Sequence, residues 1–171
     1  VGLAGNDALK GRAGDDDLVG SGGKDKVYGN GADDLLKGGG GRDLLKGGGG
    51  LDVLKGGGKN DKLFGNNGDD KLAGGKGADH LEGGAGIDRL KGDAGDDDMT
   101  GGMGNDFLYG GTGFDLAHFS GNFADYDIVT VAGGLQITHA RGTQADGVDF
   151  LATGMDRLVF ADQSVDITSP G

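Results

Sequence analysis

The stretch Gly38-Gly39-Gly40-Gly41-Arg42-Asp43-Leu44-Leu45-Lys46 carries a glycine run, an Asp at its sixth place and an apolar residue at its eighth. Read outward in both directions, the pattern Gly-x-x-Gly-x-Asp-x-(apolar)-x holds from Gly2 to His118, thirteen units of nine residues without a slip in register. The sixth place is Asp throughout: Asp7, Asp16, Asp25, Asp34, Asp43, Asp52, Asp61, Asp70, Asp79, Asp88, Asp97, Asp106 and Asp115. The eighth is Leu in ten units, with Val27, Met99 and Ala117 in the others. Of the 43 glycines, 36 fall in the first four places of these units and seven lie beyond residue 118. Period nine with a single proline excludes collagen, which needs glycine at every third place and much proline. A flexible glycine-rich linker would lack the regular Asp and Leu.

Places seven to nine read as a three-residue strand whose middle side chain points inward. The flanking places point outward and many are charged: Lys26, Lys62, Lys71 and Arg89 at place seven, Lys10, Lys37, Lys46, Lys55 and Lys91 at place nine. Places one to six form the turn, where glycine permits positive φ and close backbone approach. One strand and one turn per unit, stacked, give a parallel coil in which neighbours cover one another. A single column of buried Leu is a small return for ordering so much glycine-rich backbone. Stacking also brings Asp close to Asp. A bound cation relieves both problems. Carboxylate and carbonyl oxygens, without Cys or suitably spaced His, select Ca2+ over zinc or copper, and flexible turns rich in carbonyls favour it over Mg2+.

The net charge of −12 suits cations. It argues against nucleic acid, whose affinity comes from basic clusters on phosphate, and against an anionic membrane surface. There is no Cys, so neither disulfides nor thiolate metal sites are available. No apolar run approaches the roughly 18 residues of a membrane span, and no secretory signal peptide opens the chain. Val1 stands just before a Gly that opens a unit, which leads to the expectation of a fragment or processed product with more chain upstream.

The units resemble the RTX family, the hemolysin-type calcium-binding nonapeptide repeat. Gly38 to Lys46 and Gly101-Gly102-Met103-Gly104-Asn105-Asp106-Phe107-Leu108-Tyr109 match its pattern closely. The resemblance implies an all-β fold, a right-handed parallel β-roll with two nonads per coil, in which calcium sits between one loop and the loop eighteen residues on. Asp43 would then pair with Asp61, Asp61 with Asp79, Asp52 with Asp70, Asp70 with Asp88, and Asp88 with Asp106. The lower loop would add the carbonyls of places two and four, and the upper loop those of places one and three. That assigns Gly39 and Gly41 with Gly56 and Gly58, Gly48 and Gly50 with Gly65 and Asn67, Gly75 and Gly77 with Gly92 and Ala94, and Gly84 and Gly86 with Gly101 and Met103. Thirteen loops stacked on two edges make at most six sites on one and five on the other. Eleven such ions would turn the net charge from −12 to +10. Place four is Ala32 and Lys59 in two units, and place five is Asn or Asp in only seven. Weaker binding is expected near these departures.

From Phe119 the nonad stops. Asp125–Val131 and Leu135–Ala140 alternate around Gly133-Gly134 and predict a hairpin. Val148–Leu151, Arg157–Phe160 and Val165–Thr168 predict three more strands. The division expected is a roll over 1–118 and a β-rich cap over 119–171 that covers the last coil. Phe107, Tyr109, Phe114 and Leu116 cluster where such a cap would dock. The tail is similar to segments that follow RTX repeats in many secreted bacterial proteins.

No catalytic motif emerges. His80, His118 and His139 are scattered, without His-Glu-x-x-His, and read as surface or structural residues. There is no Gly-x-Ser-x-Gly elbow, and Ser21, Ser120, Ser164 and Ser169 have no triad context. The outward Lys read as a solvating face, with an acidic polysaccharide as the sharper alternative partner. Leu35 and Val53 share one face and Leu44 the other, a small apolar patch. The resemblance implies a non-catalytic, secreted, extracellular module that folds on Ca2+ after export by type I secretion machinery, attached to an enzyme or toxin. The alternative is a structural, adhesive or glycan-binding module of a cell-surface protein. In the first case catalytic motifs lie upstream, in the second tandem adhesin repeats.

Overall fold

The computed structural model describes residues 1–140 and 147–167. The expected strand end at Thr168 and the Ser169 reading lie outside those residues. The chain winds through β1 (Ala8–Lys10), β2 (Asp17–Gly22), β3 (Lys26–Gly31), β4 (Leu35–Gly40), β5 (Leu44–Gly49), β6 (Val53–Gly58), β7 (Lys62–Asn67), β8 (Lys71–Lys76), β9 (His80–Ala85), β10 (Arg89–Ala94), β11 (Asp98–Met103), β12 (Phe107–Thr112) and β13 (Leu116–His118). Odd strands form one parallel sheet and even strands the other, in the orders β1-β3-β5-β7-β9-β11-β13 and β12-β10-β8-β6-β4-β2. Each strand therefore pairs with the one eighteen residues away, and two nonads make one coil of an all-β parallel roll.

Strands β2 to β12 are six residues long, twice the length the alternation predicts. Places one to three belong to the ladder as well, with Gly39 opposite Gly57 and Gly40 opposite Gly58. The hydrophobic pattern could not reveal this, because these places are mostly glycine and carry no inward side chain. The corner is made by backbone dihedrals instead. Place two has positive φ, as at Gly39 (111°), and Ser21, Asn30, Asn66 and Asp93 adopt it too, at 78–89°. Place four is also left-handed, including Ala32 at 75° and Lys59 at 80°, a conformation that costs an L-residue about 1–2 kcal/mol. The turn proper is thus places four to six.

The eighth-place side chains stack into two facing columns. Val27, Leu45, Leu63, Leu81, Met99 and Ala117 come from the odd sheet, and Leu36, Leu54, Leu72, Leu90 and Leu108 from the even one, all at most 2% exposed. Leu9 and Leu18, on the first coil, are only partly buried because no coil covers them.

The tail continues both sheets. A 3-10 turn (Phe123–Asp125) leads into the antiparallel hairpin of β14 (Tyr126–Val131) and β15 (Gly134–His139). Strand β16 (Val148–Ala152) pairs with β15 on one side and runs parallel to β12 on the other. Strand β17 (Arg157–Val159) lies parallel to β13, and β18 (Ser164–Asp166) closes that sheet antiparallel to it. Leu151 and Leu158 continue the two core columns above Leu108 and Ala117. Phe119 stacks on Phe160 at 5.3 Å between ring centroids and meets Tyr126 edge-on at 5.4 Å, an aromatic plug over the last coil. Of the residues expected to meet the tail, Phe107 packs near Phe150 and Phe114 lies under the Arg157 guanidinium, while Tyr109 is exposed.

Candidate metal centre

Every sixth-place Asp stacks directly on the Asp one coil away. The Asp43 amide donates to Asp61 Oδ1 at 2.8 Å, Asp52 to Asp70 at 2.8 Å, Asp61 to Asp79 at 2.7 Å, Asp70 to Asp88 at 2.8 Å and Asp88 to Asp106 at 2.8 Å. The same bond joins Asp7 to Asp25, Asp16 to Asp34, Asp25 to Asp43, Asp34 to Asp52, Asp79 to Asp97 and Asp97 to Asp115. All five pairs that the resemblance implies are adjacent.

The second oxygen has a different fate. In the first two loops, Asp7 Oδ2 and Asp16 Oδ2 accept from the amides of Leu3 and Arg12, at 2.9 and 2.8 Å. In Asp25, Asp34, Asp43, Asp52, Asp61, Asp70, Asp79, Asp88, Asp97 and Asp115 the Oδ2 is buried and has no hydrogen-bond partner. These carboxylates are at most 3% exposed. Leaving such an oxygen bare in a dry interior is costly. Asn at the same place would supply the ladder bond through its own carbonyl, so the ladder alone does not require Asp.

What faces the bare oxygen is backbone carbonyl. Place one is Gly in all thirteen units. A β-carbon there would collide with the Asp Oδ2 of its own unit and, in most units, with the place-one carbonyl of the next coil. For Gly56 these are Asp61 Oδ2 and the Gly74 oxygen, 2.5 and 2.6 Å from the position such a carbon would take. The φ at place one is not positive, so the glycine serves to leave this space open rather than to shape the turn. The lower-loop carbonyls of places two and four point up at the next loop, as Gly39 does toward Gly57 and Gly50 toward Gly68. The place-three carbonyls of Gly58, Asn67, Ala94 and Met103 accept the amides of Gly41, Gly50, Gly77 and Gly86 at 2.8–3.0 Å. A carbonyl has a second lone pair, so this bond does not consume it. Gly48, Gly65, Gly75, Gly84, Gly92 and Gly101 hold the same places in the other loops. The donor set is all oxygen, with two carboxylates per step, and it fits a hard divalent cation. Among the described residues no three His, Cys, Asp or Glu side chains converge on one point, so most of such a sphere would be main chain.

Burial dominates the titration of these groups. It pushes Asp61, Asp70, Asp88 and Asp97 up to about 7 and Asp79 to about 6, against the lowering effect of the accepted amide. Asp34, Asp43, Asp52 and Asp115 are raised for the same reason, with neighbouring carboxylates adding to it.

Place five turns out to have a separate role. Its Asn or Asp side chain accepts the place-five amide of the next loop: Asn6 from Lys24, Asp33 from Leu51, Asp69 from Ile87 and Asp96 from Phe114, at 2.7–2.9 Å. It braces the outer rim, so a departure there first loses a hydrogen bond.

The histidines are less scattered than their positions suggest. His118 Nε2 lies 2.8 Å from Asp98 Oδ1 and His80 Nδ1 lies 3.8 Å from Asp98 Oδ2. Three successive coils of the odd sheet bring them together, with Asp98 between the two histidines. The hydrogen bond with Asp98 raises the His118 pKa, and His118 in turn lowers that of Asp98. His139 instead stacks on Tyr126.

Comparison with family models finds the RTX calcium-binding nonapeptide repeat in four copies, over residues 1–27, 28–58, 46–81 and 82–117. The chain belongs to the RTX calcium-binding nonapeptide-repeat family. Its repeats are of the calcium-binding type, and RTX repeats are typical of secreted bacterial proteins. Among the described residues no helix is long and apolar enough to cross a membrane. No curated protein matches the chain. Among solved structures it is similar to the extracellular lipase LipA from Serratia marcescens, at 21% identity and a TM-score of 0.36, over 89% of this chain and 37% of that one.

Proposed function

We propose that this chain is a calcium-triggered folding module of a larger secreted protein, an enzyme or toxin, and that it acts in secretion and stability rather than in catalysis. The observation that carries the reading is the run of ten buried Asp Oδ2 atoms without a partner, each beside a glycine whose missing side chain leaves room for an ion. The proposed ligands are the stacked carboxylates and the place-one to place-four carbonyls named above. Bound Ca2+ would supply the positive charge that these carboxylate and carbonyl oxygens lack, and the fold supplies the oxygens. The chain's own part is to bring two carboxylates onto one axis and to exclude water from them. Metal binding and folding are then one equilibrium. Where calcium is scarce, as inside a cell, the chain stays unfolded and can be threaded through type I secretion machinery; outside, calcium folds it.

The test is far-ultraviolet circular dichroism of the full chain under calcium titration, followed by chelation. The expected result is a cooperative, reversible gain of β signal. A roll formed fully without divalent metal would overturn the proposal.

A second reading has its own observation. A groove of about 620 Å³ runs along the odd loops, with Lys24, Lys26, Arg42 and Lys62 toward one end and Asp96 and Asp98 at the other. None of these four cations has a carboxylate partner among the described residues. Their coil-to-coil spacing of about 4.8 Å is close to the length of one sugar ring, which suits a linear acidic polysaccharide. Retention on an immobilised sulfated glycan at saturating calcium, lost in Lys24→Gln/Arg42→Gln, tests it.

A further inference from the structure

We propose that the chain holds a calcium ion beyond its last nonad, at the seam between roll and cap, between Asp115 and the cap residues Gly154 and Asp156. The proposal rests on the calcium-folding reading above and extends it to a segment outside the repeats.

The cap contains two hidden continuations of the repeat. In the first, Gly147-Val148-Asp149-Phe150-Leu151 takes places four to eight above repeat twelve. Gly147 lies against the Gly104 carbonyl with φ of 78°, and Val148 donates to Asn105 Oδ1 at 2.9 Å, as a place-five amide does. Asp149 accepts the Asp106 amide at 2.9 Å, and Leu151 stands opposite Leu108. In the second, Asp156-Arg157-Leu158 takes places six to eight above repeat thirteen. Asp156 accepts the Asp115 amide at 2.9 Å, and Leu158 stands opposite Ala117. The matched repeats end at residue 117, yet the Asp ladder has two more rungs.

The second rung has what an ion needs. Asp115 is fully buried, and its Oδ2 has no hydrogen-bond partner. A β-carbon on Gly110 would run into both Asp115 Oδ2 and the Gly154 carbonyl oxygen. The cap carbonyl therefore stands where the next coil's place-one carbonyl stands in the roll, as Gly74 does for Asp61. The Asp115 carbonyl also accepts the Asp156 and Arg157 amides, at 3.0 and 3.1 Å, which fixes the cap carboxylate over the roll carboxylate. On the opposite edge Asp106 and Asp149 each carry a further interaction, and no ion is assigned there.

The seam differs from the interior in one respect. A nonad has four residues between its first place and its Asp; here Met155 alone separates Gly154, whose carbonyl takes the place-one position, from Asp156. Fewer main-chain carbonyls are available, so this ion binds more weakly than those between interior coils. It is then the last to bind, and it latches the cap.

The test is hydrogen exchange of the full chain across a calcium titration, with bound calcium counted by equilibrium dialysis. In the wild type, peptides over 157–167 should gain protection at higher calcium than peptides over 38–97. Asp156→Asn keeps an acceptor for the Asp115 amide but removes the charge. It should bind one ion fewer and raise the midpoint for 157–167 at least tenfold, with the 38–97 midpoint unchanged. Asp61→Asn, within the roll, should leave the midpoint for 157–167 above that of the roll. Coincident wild-type midpoints, or an Asp156→Asn protein with the full ion count and an unmoved midpoint, overturn the seam site. If Asp156→Asn does not fold, the wild-type midpoints decide. A wild type that gains no protection anywhere on adding calcium refutes the folding reading itself.

Discussion

The roll and the cap share two sheets but are filled in different ways. Each coil of the roll buries one apolar side chain per strand and one carboxylate per loop, down a column from Val27 and Asp25 to Ala117 and Asp115. The cap covers the same sheets with Phe119, Tyr126 and Phe160 packed ring on ring, together with Met155 and Ile137, and its buried carboxylate among the described residues is Asp149. A nine-residue unit that spends two to four places on glycine cannot enclose more than a thin apolar core. The cap, freed from the period, encloses a thicker one. One sequence thus holds a region built around stacked buried carboxylates beside a region that resembles an ordinary protein interior.

Removing calcium should break this comparison most visibly. With a chelator present, amide protection over residues 20–118 should vanish in hydrogen exchange, while the β14–β15 hairpin, held by its own ladder from Tyr126↔His139 to Val131↔Gly134, should lose the least. Equal loss in both would mean that the cap has no order of its own.

A smaller effect separates two glycines one turn apart. Gly56→Ala puts a methyl group into the space between Asp61 Oδ2 and the Gly74 carbonyl, whereas the β-carbon of Gly49→Ala meets nothing within 4 Å. Calcium titrations followed by circular dichroism should show at least a tenfold higher midpoint for the first and little change for the second. Similar midpoints would show that the place-one space is not where the cation binds.

Protons should partly replace calcium in the roll. An unfolded Asp titrates at about 3.9, while Asp61, Asp70, Asp88 and Asp97 in the metal-free fold reach about 7. A folded pKa above the unfolded one gives a contribution to stability that is full below about 4 and is lost as pH rises through about 7. The metal-free roll is therefore least disfavoured in acid, and calcium midpoints should rise as pH falls from 8 to 6. A midpoint independent of pH over that range would contradict the buried, ion-binding role of these carboxylates.

The smallest expected effect is on the roll's outer face. His118→Gln removes a half-exposed pair with Asp98, worth about 0.2–1 kcal/mol in urea denaturation at saturating calcium. The raised His118 pKa means that this contribution is present below about 6.5 and fades as pH rises through the elevated value. An equal loss at pH 5 and pH 9 would assign the effect to packing instead.

Much of the site was legible in the residues. Asp at one place of every unit implies stacked carboxylates in any coil that holds a whole number of units, and the resemblance to the repeat family implied the eighteen-residue return. The two further rungs are also written in the residues, but out of period. Gly147-Val148-Asp149-Phe150-Leu151 reads Gly-x-Asp-x-Leu, places four to eight of a nonad, and Asp156-Arg157-Leu158 reads Asp-x-Leu. What hid them was the break in period between His118 and Gly147, across which no fixed spacing carries the register. The meeting of His80, Asp98 and His118 was equally hidden, since it depends on which places share a face in adjacent coils.

The sequence by itself determined the period, the parallel coil, the columns of Asp and Leu, and the oxygen chemistry of the ion. These follow from repetition, because identical units stacked with one rise must bring identical places together. Only the tertiary structure decided that places one to three join the ladder, that Asp leaves one oxygen bare while the first two loops close theirs, and that the cap repeats the rung geometry. Those features depend on which atoms meet between one coil and the next. A backbone dihedral or an empty β-carbon position leaves no mark in a pattern of side chains.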